Sequence, residues 1–325
     1  MPKFIGRKSA VGVGLETVRG TNVVASKLLG KVDYNLEDKA NKARSGEGMG
    51  NIAGEGSQSV VVQKMAEGDI SAEVGAKSLP MLLSAVIGGA ISTAAETSDY
   101  KHTIAEGQSN QAPTLSIYVD DENGDLLFKG AVVDSFELSI TLEDFVLFSA
   151  GLKSYVSRDT SFDPSGLKEL DYKFVGRDLE FKVAGAVGDL AAASAVCLKD
   201  FTLTVNKNAD YDNCLGTLEP EDILNKQVSI QGSLTLNYED RTWRDYMLDG
   251  DYKAIGIKLT NTRETMNSEN PEMYLEFPRV DFSEWEAQRG NDDIVGQTIN
   301  FNILLDIDND RFVSSAYVIN DVVSY

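Results

Sequence analysis

The sequence predicts a mainly β (α+β) protein made of two tandem β-sandwich or curled-sheet domains, each with a short flanking helix. Three observations predict this fold class: a short motif occurs twice, many segments alternate apolar and polar residues, and few segments carry helical signals. Alternation with a period of two places one face of a strand in the core and the other in solvent. The repeat determines how many domains these strands form.

The repeated motif is a Phe-x-Gly-Arg sequence. It occurs at residues 4–7 (FIGR) and again at 174–177 (FVGR), so the offset is 174 − 4 = 170 residues. Similar β-type segments follow each copy in the same order; the offset becomes 164 for Gly68 and Gly232, and 149 for Phe145 and Ile294. Loop insertions account for this drift. The common order predicts a duplication whose halves superpose, and the alternative is that two unrelated β-rich stretches align by chance.

Strands are predicted wherever apolar residues alternate. Strict period two occurs in three segments: 136–142 (FELSITL), 201–205 (FTLTV) and 299–303 (INFNI). The segment 115–119 (LSIYV) runs towards Asn123-Gly124, a dipeptide typical of a type I′ hairpin turn because both central residues adopt positive φ. The return strand of that hairpin is predicted at 126–128.

The helical signals are few and short. Ser78 followed by Pro80 predicts an N-cap with proline in the first turn, and Gly88-Gly89 predicts the end of a helix over 78–87. A second helix is predicted over 240–248 and, on weaker periodicity, a third over 190–196. No segment approaches the ~20 apolar residues of a membrane span.

Two segments resemble loops. Residues 37–59 have almost no large apolar side chains and contain five glycines from Gly46 to Gly56, so they are predicted to form a long functional loop. Residues 157–173 contain the turn sequence DPSG at 163–166 and are predicted to be a linker. The predicted organisation is therefore a first domain at 1–156, a linker at 157–173 and a second domain at 174–325.

Composition limits the possible partners. The chain has 325 residues, 42% of them apolar, and a formal net charge of −21 from 51 acidic and 30 basic residues. A surface this acidic repels the phosphates of nucleic acids and of anionic lipids. The same charge keeps a protein soluble before assembly. Composition therefore argues against nucleic-acid and membrane binding.

The start of the chain and its cysteines predict synthesis in a reducing cytoplasm. Residues 1–8 show no apolar stretch of signal-peptide length. Cys197 and Cys214 are the only cysteines, and two thiols in a chain of this length are expected to be small buried hydrophobes.

Catalytic, cofactor and metal sites are poorly supported. His102 is the only histidine and lies in a strand-like segment, so we expect a structural or exposed role. Residues 306–310 (DIDND) imitate the start of a calcium loop, but Arg311 and Tyr317 occupy the positions that require Gly and Glu. Residues 48–53 (GMGNIA) fit a dinucleotide pattern loosely, without a preceding strand. The sequence predicts no enzyme activity, no cofactor and no metal.

Four stretches carry a resemblance to a known family: 12–21 (GVGLETVRGT), 113–121 (PTLSIYVDD), 215–227 (LGTLEPEDILNKQ) and 238–242 (YEDRT). In their residue pattern and their order along the chain, these stretches resemble the major tail tube protein of long non-contractile-tailed bacteriophages, and the resemblance spans nearly the whole chain. The resemblance implies a structural virion protein that self-assembles into stacked rings. The rings would form the tail tube, a conduit through which DNA passes during ejection without specific binding.

The resemblance and the repeat together predict the assembly. Most members of the family have one domain and form hexameric rings, so a duplicated chain implies a trimeric, pseudo-hexameric ring, with a hexamer as the alternative. Other tail proteins would bind at the ends of the tube, and no membrane partner is implied. The predicted inter-ring contact loop comprises Gly46, Gly48, Met49, Gly50, Asn51, Ile52 and Gly54.

Two other classes of protein share this profile. One is another β-rich phage structural or adhesion protein. The other is a carbohydrate-active β-sandwich enzyme, which needs two carboxylates across a cleft lined by aromatic residues. Trp243 and Trp285 are the only tryptophans, and both fit a core position equally well.

Overall fold

The computed structural model describes residues 5–47, 52, 58–121, 124–290 and 294–325. The predicted mainly β fold class is confirmed, because half of the residues lie in strands and one tenth in helices. The strands of each half are joined by antiparallel pairing, as the alternating segments require.

The first half contains one helix and strands β1 to β11: β1 (Ala10–Leu15), β2 (Lys27–Leu28), β3 (Asp33–Tyr34), β4 (Glu37–Arg44), β5 (Ser59–Glu73), α1 (Leu79–Ile87), β6 (Ile91–Glu96), β7 (Asp99–Ile104), β8 (Leu115–Asp120), β9 (Asp125–Thr141), β10 (Leu147–Ser154) and β11 (Arg158–Thr160). The second half contains β12 (Leu179–Ala184), β13 (Ala195–Val196), β14 (Asp200–Asn206), β15 (Asp210–Asp212), β16 (Asp222–Leu224), β17 (Ser229–Asn237), α2 (Thr242–Asp249), β18 (Lys253–Thr260), β19 (Glu272–Gln288), β20 (Gly296–Ile303) and β21 (Ser315–Asn320).

The strand pairings of the first half recur in the second half. In the first half β1 pairs with β2 and β8, β8 with β9, and β9 with β10 and β11; β10 pairs with β5, and β5 with β3 and β4. In the second half β12 pairs with β13 and β18, β18 with β19, and β19 with β20 and β21; β20 pairs with β17, and β17 with β14. One connectivity therefore describes both halves.

The long strands β9 and β19 carry a β-bulge at matching places. Asp134 is the extra residue where β9 pairs with β10, and Ser283 is the extra residue where β19 pairs with β20. A bulge bends its strand. Before the bulge each long strand pairs with β8 and β11, or with β18 and β21; beyond it the pairing continues with β10 or β20. The bulges make Asp134 and Ser283 equivalent, an offset of 283 − 134 = 149.

A glycine occupies the same position in both halves. Gly68 of β5 pairs with β10, and Gly232 of β17 pairs with β20, one residue from the bulge in each case. A Cβ atom at Gly68 would collide with the backbone oxygen of Asn35, and one at Gly232 with that of Thr202. The strand facing each glycine therefore approaches closely, and this approach excludes any side chain.

The repeated Phe-x-Gly-Arg motif forms the same local structure twice, as far as the structure describes it. Gly6–Lys8 and Gly176–Asp178 each form one 3-10 turn, and each turn leads into the first strand of its half. Phe174 is fully buried, whereas Phe4 lies outside the described residues.

The pairing of β9 with β14 joins the two halves into a continuous sheet. The part of β9 beyond the bulge pairs with β14 over seven residue pairs, from Ser135–Asn206 to Thr141–Asp200. The order across this sheet is β4, β5, β10, β9, β14, β17, β20 and β19. We call this eight-stranded unit the main sheet.

The hydrophobic core continues across the junction between the halves. Phe201 of β14 packs against Phe181 and Phe301, with ring centroids 5.6 and 6.2 Å apart. Helix α1 is buried along nearly its whole length, from Leu79 to Val86. The core residues of both halves form one contiguous cluster, so hydrophobic burial stabilises the two halves together.

The two stronger helix predictions are confirmed and the weakest is wrong. Helix α1 ends at Gly88, which adopts φ 87°, as the Gly-Gly signal predicted. The Ser78 hydroxyl donates to the carbonyl of Gly75 instead of capping the helix. Helix α2 is also present. Residues 190–196 end in the short strand β13, because Ala195 and Val196 pair with β12.

The prediction of a loop over the whole of 37–59 is wrong for its first part. Residues 37–44 form β4, although every side chain of this strand is exposed. The strand shows no apolar alternation because neither face is buried; its order comes from backbone pairing with β5. The predicted linker is also structured in part, since β11 pairs with β9 and the Asp163 carboxylate accepts the Ser165 N–H at 2.9 Å.

The prediction of buried cysteines is wrong. Cys197 and Cys214 are both exposed and free. The Cys214 thiol donates to the Glu221 carboxylate, which raises the pKa of the thiol. Both cysteines lie in connecting segments between strands, where side chains have no core to enter.

An inserted hairpin distinguishes the first half from the second. Strands β6 and β7 follow α1 and have no counterpart after α2 in the described chain, where β18 begins at Lys253. β7 pairs with β21 of the second half, from Tyr100–Asn320 to Thr103–Tyr317. The hairpin therefore adds a second strand pair between the halves, beside the β9–β14 junction described above.

Candidate functional site

One face of the main sheet is polar across its whole width. Because side chains alternate along each strand, paired positions on neighbouring strands share a face. We define the polar face by residues at these paired positions that are exposed or half-buried: Asp69, Ser71, Ser135, Glu137, Ser139, Ser149, Thr202, Thr204, Asn206, Gln231, Ser233, Thr235, Glu284, Glu286, Thr298 and Asn300.

Hydroxyl and amide groups of the polar face contact each other across strands. Ser71 and Ser149 are joined by a hydrogen bond of 3.2 Å, and Thr235 and Thr298 lie 3.4 Å apart. The Asn300 amide donates to the Glu284 carboxylate at 2.8 Å. Cross-strand pairs of this kind stabilise a sheet whose face is in water. The result is a wide polar surface.

The charge of the polar face is negative. Asp69, Glu137, Glu284 and Glu286 are exposed on it. None of the residues that define the face is basic; Lys153 lies beside it, and its ammonium is 3.3 Å from the Asp134 carboxylate. Such a surface repels phosphates.

A hairpin arm extends from one edge of the main sheet. We define the arm as residues 39–65, the outer part of the β4–β5 hairpin. Its pairing reaches Arg44–Ser59 and continues with the Ser45 N–H donating to the Gln58 carbonyl at 2.9 Å. Val60 and Val62 expose 61% and 49% of their surface. Exposed valines on a projecting hairpin provide apolar surface for a contact with another molecule.

The arm is basic in an otherwise acidic chain. It carries Lys39, Lys42, Arg44 and Lys64. Of the predicted contact-loop residues, Gly46 and Ile52 are described: Ile52 is 96% exposed, and Gly46 has open space around its Cα. Gly48, Met49, Gly50, Asn51 and Gly54 lie outside the described residues. The inter-ring role of this loop stays a prediction.

The root of the arm is held by the second half. The Lys64 N–H donates to the Leu218 carbonyl at 2.7 Å. The Tyr211 hydroxyl donates to the Ala66 carbonyl at 2.8 Å. The segment 207–228 that supplies these partners connects β14 to β17, as the arm connects β4 to β5. Equivalent segments of the two halves thus contact each other.

Three of the four family-like stretches meet in one buried cluster. The Glu16 carboxylate is 6% exposed and accepts the Gly20 N–H, the Gly130 N–H and the hydroxyls of Thr114 and Ser116, at 2.5 to 2.8 Å. These four donors match the roughly four lone-pair sites of a carboxylate, and all of them belong to the first half.

Arg19 extends this cluster to the second half. Its Nε donates to the Asp222 carboxylate at 2.8 Å, and its other nitrogens donate to the carbonyls of Ala112 and Ile223. The fork geometry of a guanidinium suits several acceptors at once. The cluster therefore links the β1–β2 connection to the 207–228 segment.

A second polar contact fixes the inserted hairpin. The Asp99 carboxylate is fully buried and accepts the N–H groups of Asn267, Ser268 and Glu269, together with the side chains of Asn267 and Ser268, at 2.7 to 3.2 Å. These donors belong to the connection between β18 and β19. Asp99 therefore holds a loop of the second half against β7.

His102 has a structural role. It is fully buried, with Nδ1 2.9 Å from the Thr93 hydroxyl and Nε2 2.9 Å from the Asn320 side-chain oxygen. Burial lowers the pKa of His102. The ring lies between β6 and β21, so it contributes to the attachment of the inserted hairpin.

A small apolar cavity of about 80 Å³ lies between the halves, lined by Phe136, Leu203, Lys207 and Asn225 among others. The Lys207 ammonium donates to the Ala85 carbonyl at 2.6 Å, at the end of α1. Burial, together with the charge of Arg19, lowers the pKa of Lys207 to about 7. The lysine satisfies a helix carbonyl at the junction.

The acidic turn at 306–310 and the two tryptophans make structural contacts in the part of the chain that the structure describes. No group of three or more His, Cys, Asp or Glu that could hold a metal ion occurs among the described residues. In the acidic turn, the Asp306 carboxylate accepts the Asn309 side-chain amide at 2.7 Å and so closes the turn on itself. Trp243 is buried against Phe282, and Trp285 donates to Gln297 at 2.8 Å.

Sequence reasoning missed the polar face and both junction contacts. The face consists of strands from both halves, and their order depends on the β9–β14 pair, which no local pattern reveals. The alternation of Ser and Thr with apolar residues in 201–205 and 136–142 was the available signal. Asp99 lies 168 residues from Asn267, so the contact has no sequence signature.

Comparison with known proteins gives one family. A family model described as "Phage tail tube protein" matches residues 6–303. No curated protein matches the chain. Among the described residues, no helix is long and apolar enough to span a membrane.

Proposed function

Because the chain belongs to the phage tail tube protein family, we propose that its copies assemble into stacked rings whose lumen is the conduit for DNA ejection. Membership makes the chain a structural protein of the virion tail that forms a tube with other tail proteins. The ring stoichiometry, the surface that faces the lumen and the contact between rings are the proposed parts.

The polar face lines the lumen in this proposal. The observation that carries it is the continuous row of hydroxyl, amide and carboxylate groups across all strands from β5 to β19. A conduit must let duplex DNA move without binding it. Exposed Glu137, Glu284 and Glu286 repel phosphates, and neutral hydroxyls between them stay hydrated.

Each ring contains three chains in this proposal. The repeated pairings and the matching bulges support two tube domains in each chain, one per half. The β9–β14 pair then serves as the contact between adjacent positions of a pseudo-sixfold ring. Three chains supply six such positions, and a head-to-tail contact that closes on itself generates a ring.

The arm makes the contact between rings in this proposal. A neighbouring copy of the chain would shield the exposed Val60 and Val62 from water. Because that copy is acidic, it would also attract the basic residues of the arm.

The stoichiometry is tested by electron microscopy and mass. We expect concentrated purified protein to form hollow tubes with a regular axial repeat, and isolated rings to have the mass of three chains. Each chain has a mass of 35.3 kDa, so trimers and hexamers are easily distinguished. Absence of tubes would contradict the function, and a six-chain ring would contradict the assignment of both halves to the tube wall.

Deletion of residues 46–56 tests the arm. The segment has only two large apolar side chains, Met49 and Ile52, so we expect an unchanged melting temperature and far-ultraviolet circular dichroism. Stacking should weaken, so tubes should be shorter or appear only at higher protein concentration in sedimentation. A matched control replaces the eleven residues by Gly and Ser, which keeps the length and removes the side chains of Met49 and Ile52. Normal tubes from the deletion variant would remove the assigned role, and loss of folding would assign the segment to the core.

A further inference from the structure

The internal junction between β9 and β14 has seven residue pairs and joins two different edges, one from each half. The edge of β9 beyond its bulge belongs to the first half, and β14 belongs to the second. The two strands are antiparallel, so each step forward along β14 corresponds to one step back along β9; for example, Leu203 pairs with Leu138. This junction shows how one tube domain of this chain joins the next.

The matching bulges and glycines show which residues of the two halves are equivalent. The residues of the internal junction can therefore be matched with residues of the other half. Beyond the bulge the offset between β9 and β19 is 149, so Ser135 corresponds to Glu284. The backbone that faces Gly68 corresponds to the backbone that faces Gly232. Asn35 is therefore equivalent to Thr202, and the offset between these two segments is 202 − 35 = 167. Asn206 therefore corresponds to Lys39.

Both corresponding edges are unpaired in the described chain. Beyond residue 280, β19 pairs with β20 on one side, and the described residues place no strand on the other. β3 and the start of β4 pair with β5 on one side, with no described strand on the other. The Asn35 N–H donates to the Asp69 carbonyl, so the backbone groups of Tyr34, Leu36 and Asp38 point away from β5.

Resting on the proposed ring, we infer that the edge of β19 beyond its bulge pairs with the β3–β4 edge of a second copy of this chain, in the register of the internal junction. This register places Glu284 opposite Lys39, Trp285 opposite Asp38, Glu286 opposite Glu37, Ala287 opposite Leu36, Gln288 opposite Asn35 and Arg289 opposite Tyr34. Each free edge of one copy therefore pairs with the other free edge of a neighbouring copy.

The side chains fit this register at most positions. On the polar face, Glu284 and Lys39 form an ion pair where the internal junction has Ser135 and Asn206. Lys39 also lies 2.9 Å from Glu67 and diagonal to Glu286, so it offsets the like charges of Glu286 and Glu37. On the opposite face, Ala287 meets the buried Leu36.

Charge also explains why these edges do not pair indiscriminately. In this register the β19 edge presents Glu284 and Glu286, and the β3–β4 edge presents Glu37, Asp38 and Lys39. Two β19 edges therefore repel each other, and charged edge strands discourage uncontrolled sheet extension. Pairing of unlike edges is favoured, and it is the head-to-tail contact that a ring requires.

Disulfide cross-linking tests the register. In a Cys197→Ser, Cys214→Ser background, the pair Lys39→Cys and Glu284→Cys places two thiols at directly opposite positions of neighbouring chains. We expect oxidation to convert most of the monomer into covalent dimers and trimers on a non-reducing gel, ending at three chains because the ring closes. The pair Ser135→Cys and Asn206→Cys is the matched control, because it should form a disulfide within one chain and give no intermolecular ladder.

A shifted pair separates this register from others. Glu37→Cys with Glu284→Cys moves one thiol by two positions and should cross-link at least about tenfold less, since diagonal residues lie ~7–8 Å apart. If rings of normal mass cross-link through the shifted pair and not through Lys39→Cys with Glu284→Cys, the register is wrong and the proposed function stands. If the protein forms no rings by mass, both the proposed function and this inference are wrong.

Discussion

Replacing Glu16 by alanine is expected to lower the free energy of unfolding by on the order of 3–5 kcal/mol, because the carboxylate is the shared acceptor of a buried polar cluster. The variant leaves the Gly20 and Gly130 N–H groups without their acceptor. The hydroxyls of Thr114 and Ser116 also lose it, but they can rotate towards other acceptors. Urea unfolding followed by tryptophan fluorescence measures the effect.

The conservative variant Glu16→Gln sharpens this prediction. A glutamine keeps one oxygen for an N–H donor and presents an amide to the hydroxyls, which can accept from it. We therefore expect a smaller loss, about half that of Glu16→Ala. The control Glu137→Ala removes an exposed carboxylate of the polar face and should change stability by no more than about 0.5 kcal/mol. Equal effects of Glu16→Ala and Glu137→Ala would contradict the structural role of the cluster.

Replacing Asp99 by asparagine is expected to cost about 3 kcal/mol at pH 7, because a charged acceptor with five donors becomes a neutral amide that faces the same donors. The connection between β18 and β19 should lose its anchor before the rest of the chain unfolds. Hydrogen exchange at Asn267, Ser268 and Glu269 should accelerate more than exchange in β14 and β17.

The effect of Asp99→Asn should depend on pH in a defined direction. Burial raises the pKa of Asp99, but the N–H groups of Glu269, Ser268 and Asn267 outweigh burial, and the pKa lies below its ordinary value. A folded-state pKa below the unfolded value of about 3.9 means that the carboxylate stabilises the fold above that pH, and that this contribution is lost as pH falls through the folded-state pKa. The difference between wild type and Asp99→Asn should therefore be constant from pH 7 to about 5 and shrink below about pH 4.

The exposed Asp159 provides the control for this experiment. Asp159→Asn changes the same chemical group on β11, where the side chain is exposed, and should leave stability nearly unchanged at each pH. A pH-independent difference for Asp99→Asn would mean that the carboxylate charge contributes nothing to the anchor.

Features that depend on near neighbours in the chain could be predicted from sequence. Pro80 and Gly88 determine the bounds of α1 through local backbone preferences, and the prediction is accurate to one residue. The segments 136–142, 201–205 and 299–303 alternate because one side of each strand is buried, so their strand assignments are confirmed.

Features that depend on pairing between segments far apart in the chain could not be predicted from sequence. β4 forms because β5 offers it a backbone partner, and its exposed side chains carry no signal. The β9–β14 and β7–β21 pairs join segments far apart in the chain, and their register is decided by packing of the whole core. The polar face and the Asp99 anchor depend on these pairs. The inter-ring loop stays a prediction, since most of its residues lie outside those described.

The inserted β6–β7 hairpin would make the wall of the tube mechanically uneven. Within a chain, the hairpin adds a second link between the halves by pairing with β21, and Asp99 secures it. After α2 the described chain turns at Gly250 and enters β18 at Lys253, so the junction between chains has no such brace. Braced and unbraced seams would then alternate around the proposed ring. Under load the bore would open at three seams first and distort towards a triangle, whereas a ring of six identical subunits would widen evenly.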